Sequence, residues 1–445
     1  MRTMTAGPAA PASRAPSGLV LSPLRALRYD PAVAGDLAGL TSPPYDVIDA
    51  DGVGRLEASS ERNVVRLILP RGPLEGADSR YARAARTLAD WRAAGILTAD
   101  TSPALYVYEQ ADPATGHAQR GLLGALALTP AEDGIVLPHE NTMAGPVTDR
   151  LALYTAVEAD LEPIFLVYDG GGAASRAVAD VADLTPLADV ALPDGLVHRL
   201  WALTDPALLG RIAADLHDRR AVIADGHHRY ATYLQRQADA QAAGRGPGPW
   251  DRGLTFLVDA QAFGPEVHAI HRVVPGREAG ELADRAAPGM AVDDLDGVAM
   301  PDALAALERV GAGGAAFLLV SGDSSTVRLL SRPDPRRLAA ALPAERSAGW
   351  RALDVSVLHG YLVADLWGLP DTVEAVSYEH DVAAALTAAA RTGGTAVLLN
   401  PTPVAAVTAV AGSGERMPRK STLFTPKPRT GLVLRAFADE CLAAG

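Results

Sequence analysis

The decapeptide Ala224-Asp225-Gly226-His227-His228-Arg229-Tyr230-Ala231-Thr232-Tyr233 follows the short apolar run Ala221-Val222-Ile223 and opens a helix-spaced stretch that continues to about Gln241. A strand that enters a helix through a glycine turn sets the local chemistry. The first N–H groups of a helix have no intrahelical acceptor and lie at the positive end of its dipole. Glycine has no Cβ and lets that backbone close on a ligand, so the turn is a cradle for phosphate. His227, His228 and Arg229 add side-chain donors at the same point, and the planar fork of Arg229 suits two phosphate oxygens. The plainer alternative is an ordinary strand-to-helix turn with Asp225 as its cap.

Working outward, Pro163–Tyr168, Val197–Leu203, Gly253–Asp259 and Val267–Val274 are apolar runs that predict strands. Thr204 or Asp205 is placed to cap a helix ending near Arg219, and Asp149 one running from Arg150 to about Glu158. These elements make residues 131–275 one unit with the decapeptide at its heart. Upstream, Val64–Leu69 reads as a strand ended by Pro70. Ser79–Gly95 spaces Tyr81, Ala84, Ala85, Leu88 and Trp91 as an amphipathic helix, and Ala104–Glu109 pairs with Gly121–Leu128. Residues 18–130 are therefore expected to form an α+β unit behind a flexible Ala/Pro-rich tail, residues 1–17. Residues 276–445 alternate helices through Ala303–Arg309 and Asp354–Leu366 with strands Ala316–Ser321 and Ala396–Asn400, and end in a basic loop. The predicted class is α+β (mixed α/β), multi-domain.

Composition narrows the partners. Forty Lys and Arg against 53 Asp and Glu give a net charge of −13 over 445 residues, so no general positive field is available for nucleic acid or an anionic membrane. Thr392–Gly414 is uncharged, but Asn400, Pro401 and Pro403 interrupt it, and a strand, a turn and a short helix fit it better than a membrane span. The tail has no continuous apolar stretch of the signal-peptide kind. The single cysteine, Cys441, allows neither an internal disulfide nor a cysteine zinc site and suits a reducing cytoplasm. The expected partners are small molecules in the cytoplasm, with no membrane and with nucleic acid disfavoured.

Two further clusters carry chemistry. In Pro138-His139-Glu140-Asn141-Thr142, Glu140 can serve as general base or metal ligand, with His139, Thr142 and the nearby Arg150 as candidate substrate contacts. The alternative leaves Glu140 solvated and Asp149-Arg150 as a helix start. In Glu415–Gly431, the basic residues Arg416, Arg419, Lys420, Lys427 and Arg429 stand out from an acidic chain. Lys420, Ser421, Thr422 and Lys427 can clamp an anion there, unless the segment is only a solvated loop. Lys420-Ser421-Thr422 lacks the glycine that precedes the lysine of a phosphate-binding loop. Gly311–Ala316 fits a dinucleotide pattern but leaves a helix for a strand, the reverse of the required order. His271 and Arg272 either line the same pocket or end a strand.

Ser42–Ile48, Asn63–Leu67, His139-Glu140, Ala224–Tyr230, Leu353–His359, Asn400–Pro403 and Glu415–Gly431 together resemble the prokaryotic family known as domain of unknown function 1015. The likeness runs from about Leu24 to Val433. The unit from His139 to about Gln237 also resembles the ParB/sulfiredoxin fold, in which a Gly-x-His-Arg-Tyr-x-Ala motif binds nucleotide phosphates. Gly226, His228, Arg229, Tyr230 and Ala231 stand on that pattern. His227 takes the place of the sulfiredoxin cysteine, so sulfinic acid reduction is not implied. The Asp-Gly-His-His-Arg form is similar to the free serine kinases of that fold, which phosphorylate L-serine with ADP, ATP or pyrophosphate. In those enzymes a glutamate and the motif aspartate matter; Glu140 and Asp225 are the matching positions.

The resemblance implies a phosphotransferase acting on a small hydroxylated metabolite, free serine first. Asp225 or Glu140 would take the hydroxyl proton. Gly226, His227, His228 and Arg229 would hold the phosphate, with Lys420, Ser421, Thr422 and Lys427 closing over it and Tyr230 beside it. Mg²⁺ is expected with either donor. Two other classes stay open: a nucleotide or phosphometabolite sensor without turnover, and a ParB-like nucleic-acid-associated protein, which the charge disfavours.

Overall fold

The computed structural model describes residues 16–440. All but the last two residues of the expected tail, and Cys441, lie outside the described residues.

The chain is mixed α/β and builds its two largest sheets in different halves. The first is a nine-stranded sheet in the order Val136–Leu137, Ala221–Asp225, Ile164–Tyr168, Arg252–Asp259, Ala118–Ala127, Leu105–Ala111, Val197–Leu203 and Ala188–Ala191, with Leu21–Ser22 paired beside Ala118–Ala127. It draws strands from both sides of residue 130. Its inner strands read as continuous apolar runs because both faces are covered. On one face, Leu105, Val107, Ile164, Leu166 and Ile223 pack with the helices Arg80–Ala93, Ala144–Val157, Pro206–Leu216 and His227–Ala242. On the other, Tyr106, Tyr108, Phe165, Phe256 and Val258 pack with Val407, Val410, Met417, Phe424 and Val433 from the end of the chain. At roughly 25 cal/mol per Å² of apolar surface, each such side chain contributes about 1.5–3 kcal/mol to holding that return in place.

The second sheet has six strands in the order Ala291–Asp294, Val327–Ser331, Phe317–Ser321, Thr395–Leu399, His271–Val274 and Ser377–Glu379. Alternation along Phe317–Ser321 sends Phe317 and Leu319 to one core and Leu318 and Val320 to another. The helix Ala279–Ala286 and the π-helix Val357–Leu366 cover the first; Met300–Gly311 and Val382–Thr392 cover the second.

Several local expectations are corrected. Val64–Leu69 contains the short helix Val65–Ile68, not a strand. Asp149 does not cap a helix: the helix runs Ala144–Val157 with Pro146 in its first turn, where a missing N–H does no harm. Val267–Val274 is not one strand closing the first unit. Glu266–His268 pairs with Leu423–Thr425, and His271–Val274 joins the second sheet. That break is where the chain crosses between the sheets. Among the described residues no helix is long and apolar enough to cross a membrane.

Candidate functional site

Gly226 takes φ +96° between the strand Ala221–Asp225 and the helix His227–Ala242. L side chains rarely adopt that backbone. A Cβ there would also lie 3.2 Å from Arg229 Nε and from Ile164 Cγ2. No side chain caps the helix, so its first-turn N–H groups are left for a ligand. The turn lines a cleft of about 440 Å³, together with Tyr45, Asp46, His139, Glu140, Ile270, His380, Lys420, Thr422, Phe424 and Lys427.

Asp225 is fully engaged. Its Oδ1 accepts Lys427 Nζ at 2.5 Å, its Oδ2 is paired with Arg229 Nη2, and Lys427 also reaches Asp46 Oδ2 at 3.2 Å. Burial favours the neutral acid, but Lys427 and Arg229 outweigh it and hold the carboxyl below its usual range. Asp225 is thus an anion with little affinity for a proton. Arg229, 1% exposed, spends its fork on Asp225 and on the Pro163 carbonyl at 2.6 Å. Its fork is therefore not free to act as the expected two-pronged phosphate donor.

The adjacent histidines act on a neighbouring loop. His227 Nε2 accepts the backbone N–H of His139 at 3.2 Å and of Glu140 at 3.3 Å; His228 Nε2 accepts that of Met143 at 3.0 Å. An imidazole nitrogen that accepts carries no proton, so both rings are neutral and protonated on Nδ1. Burial lowers both pKa values, that of His227 far. The pair straps residues 139–143 to the helix start. His139 stands edge-on to His227, its Nε2 is 3.0 Å from Thr422 Oγ1, and burial pushes its pKa down to about 4.

Held by that strap, the Glu140 carboxyl has no hydrogen-bond or ion-pair partner among the described residues. Burial raises its pKa against the pull of Lys420 and Lys427. A carboxylate that is unpaired and more basic than usual is the group in this cleft suited to take a proton. Lys420, exposed and at φ +56°, likewise has an unpartnered ammonium among the described residues.

The cleft brings together Asp225, Glu140, Gly226, His227, His228, Arg229, His139, Lys420, Thr422 and Lys427, and not the other candidates. Thr142 is exposed outside it. Arg150 donates to Asp149 and the Ile68 carbonyl and lies over the Tyr45 ring. The Tyr230 hydroxyl is tied to the Thr129 backbone, and Ser421 Oγ donates to the Pro418 carbonyl at 2.5 Å. His271 Nδ1 accepts the Leu399 N–H, and Arg272 donates to backbone carbonyls and His359. Apart from the exposed Thr142, each of these side chains already makes hydrogen bonds within the fold. Conversely, Tyr45, Asp46 and His380 line the cleft and were not singled out by sequence. Tyr45 and Asp46 do belong to the motif Ser42–Ile48 that carries the family likeness, though the sequence assigns neither a role in the site.

Among the described residues no group of three or more His, Cys, Asp or Glu side chains is arranged to hold a metal ion. Asp46, whose Oδ1 has no partner among the described residues, supplies a hard oxygen donor of the kind Mg²⁺ takes, and Mg²⁺ commonly uses one or two carboxylates beside phosphate oxygens and water. The donor set therefore fits an ion that arrives on a phosphate.

Residues 21–356 match the family described as "Protein of unknown function (DUF1015)". The chain belongs to that family. No curated protein matches the sequence. Among solved structures, free serine kinase in complex with AMP is similar at 16% identity and a TM-score of 0.32, over 67% of this chain and 88% of that one. SbnI with C-terminal truncation from Staphylococcus aureus shows 12% identity and 0.34, over 70% and 87%. A conserved hypothetical protein from Pyrococcus furiosus shows 14% and 0.31, over 65% and 87%. Scores this low say nothing of activity, which must be argued from the cleft.

Proposed function

We propose that this member of the family is a phosphotransferase that moves a phosphoryl group from pyrophosphate or ADP/ATP to the hydroxyl of a small metabolite. The observation that carries this is the sharing of one cleft by an unpartnered, raised-pKa Glu140, an uncapped glycine-turn helix start and two lysines. Free L-serine is the first acceptor to test, because Asp225–Tyr230 is similar in sequence to the free serine kinases.

Phosphoryl transfer asks for positioning and for charge neutralisation. Glu140 takes the proton of the acceptor hydroxyl as its oxygen bonds to phosphorus. The bond from phosphorus to the leaving phosphate oxygen breaks, and the leaving group departs with the negative charge. Lys420, Lys427 and the first-turn N–H groups after Gly226 offset that charge. Asp225 is assigned to holding Lys427 and Arg229, and not to proton transfer, because both of its oxygens are engaged. His227 and His228 keep Glu140 in place. Mg²⁺ bound with the donor, with Asp46 Oδ1 as its protein oxygen beside phosphate oxygens and water, would neutralise phosphate charge.

The test is purified protein with L-serine, MgCl₂ and each of pyrophosphate, ADP and ATP, assayed for phosphoserine by mass spectrometry. Phosphoserine with at least one donor is expected. Folded protein that forms none with any donor rules out a serine kinase, and thermal stabilisation by a donor without product would point to a sensor.

A further inference from the structure

Leu353–His359 is one of the motifs that carry the family likeness, yet none of it lines the cleft. Its histidine lies in the π-helix Val357–Leu366, a rare form that often marks a functional position. Both ring nitrogens of the buried His359 are engaged. Nδ1 is 2.9 Å from Asp371 Oδ1, and Nε2 lies 3.2 Å from Arg272 Nε and 3.1 Å from Arg272 Nη2. A guanidinium only donates, so Nε2 accepts and the ring proton sits on Nδ1, given to Asp371.

Arg272 is 1% exposed, and no carboxylate touches it among the described residues. Its Nη1 donates to the Ile270 carbonyl. Its Nη2 donates to the carbonyls of Lys420 at 3.0 Å and Arg419 at 3.4 Å, and Tyr378 lies under its plane. Burial pulls its pKa down to about 10. A buried cation without a counter-ion is costly, and this one is aimed at a backbone turn. At that turn Lys420 holds φ +56°, a conformation that is strained for a residue with a Cβ and persists where its surroundings impose it.

We infer that Asp371, His359 and Arg272 form a positioning chain that holds the Lys420 turn in its left-handed conformation and so presents the Lys420 ammonium to a phosphate in the cleft. Arg272 is then a positioning residue, acting through Lys420 from the second sheet. This rests on the phosphate-binding reading of the cleft.

The test is calorimetric binding of magnesium pyrophosphate and of magnesium ADP to the full chain, to Arg272→Met, Arg272→Lys, Asp371→Ala and Lys420→Ala, to Asp371→Ala combined with Lys420→Ala, and to the Arg272→Met/Lys420→Ala double variant. Arg272→Met and Lys420→Ala should each weaken binding of the donor about tenfold. The double variant should bind no more weakly than Lys420→Ala alone, because interacting positions are not additive. Arg272→Lys keeps the charge but loses the fork and should not rescue. Asp371 is half exposed, so Asp371→Ala reports even if Arg272→Met fails to fold: it should weaken binding in the parent chain but not beside Lys420→Ala. Parent-like affinity in Asp371→Ala or Arg272→Met, or losses that multiply in the double variant, would overturn the positioning chain alone. A parent chain that binds neither ligand overturns the phosphate cleft, and this chain with it.

Discussion

Gly226 and Glu140 divide the work of the cleft between backbone and side chain. At Gly226 the φ of +96° and the 3.2 Å approach of Arg229 and Ile164 both disfavour a Cβ. Gly226→Ala should destabilise the fold by about 1–2 kcal/mol from backbone conformation alone and weaken pyrophosphate binding. Urea unfolding and calorimetry check the two effects separately. At Glu140 the raised pKa gives a sign. The carboxyl must be ionised to take a proton, so kcat/KM should rise with pH through an inflection above 4.5, the ordinary value for a glutamate. A pH–rate profile with no such acid limb would remove Glu140 as the base.

Asp354, in the helical turn Asp354–Ser356, supplies a test at the scale of an element. Its carboxyl has no partner among the described residues, and burial pushes its pKa from 3.8 up to about 7. A folded-state pKa raised above the unfolded one costs nothing below pH 3.8, costs more as pH rises, and costs its full amount above pH 7. At about 1.4 kcal/mol per tenfold change in proton affinity, that full amount is at most about 4 kcal/mol. Asp354→Asn should therefore raise the Tm at pH 8 and leave it nearly unchanged at pH 3.5; equal effects at both would contradict the assignment. Elements were legible in sequence where a local signal was unambiguous. The strand, glycine turn and helix around Gly226 fall within a residue or two of their expected places, because apolar run, glycine and helical spacing agree. Val64–Leu69 misled because Val64, Val65, Leu67 and Ile68 are all buried, so no polar face reveals the period. The break in Val267–Val274 depends on Leu423–Thr425, a partner far along the chain that no local pattern announces. The candidate residues of the cleft were legible by chemical type, with Glu140, Asp225, Lys420 and Lys427 meeting in space. Arg150, Tyr230, His271 and Arg272 looked alike by type, but their partners are backbone and buried side chains that only the fold supplies.

Across the whole molecule, the end of the chain closes the structure that its beginning and middle start. Lys427 joins Asp46 to Asp225, Leu434 bonds Leu27, and Arg435 pairs with Asp160, which is 0% exposed. The net charge of −13 is therefore an average that conceals a lysine-lined cleft assembled from distant segments. A chain ending at residue 414 would keep Val407 and Val410 on one face of the large sheet but lose Met417, Phe424, Leu432 and Val433 from it, and would leave Asp160 with Arg236 as its one remaining cation among the described residues. Breaking a buried pair costs about 3–5 kcal/mol, so this chain should lose cooperative thermal unfolding by circular dichroism; a sharp, parent-like transition would contradict the closure. The central claim is that the cleft transfers phosphate with Glu140 as base. It is tested most directly by measuring phosphoserine formation from L-serine and magnesium pyrophosphate, ADP or ATP in the parent chain and in Glu140→Gln, with donor affinity measured on both. We predict product in the parent, a loss of about 10²–10⁴-fold in Glu140→Gln, and donor affinity that is unchanged. No product in the parent, or equal rates in the two proteins, would contradict it.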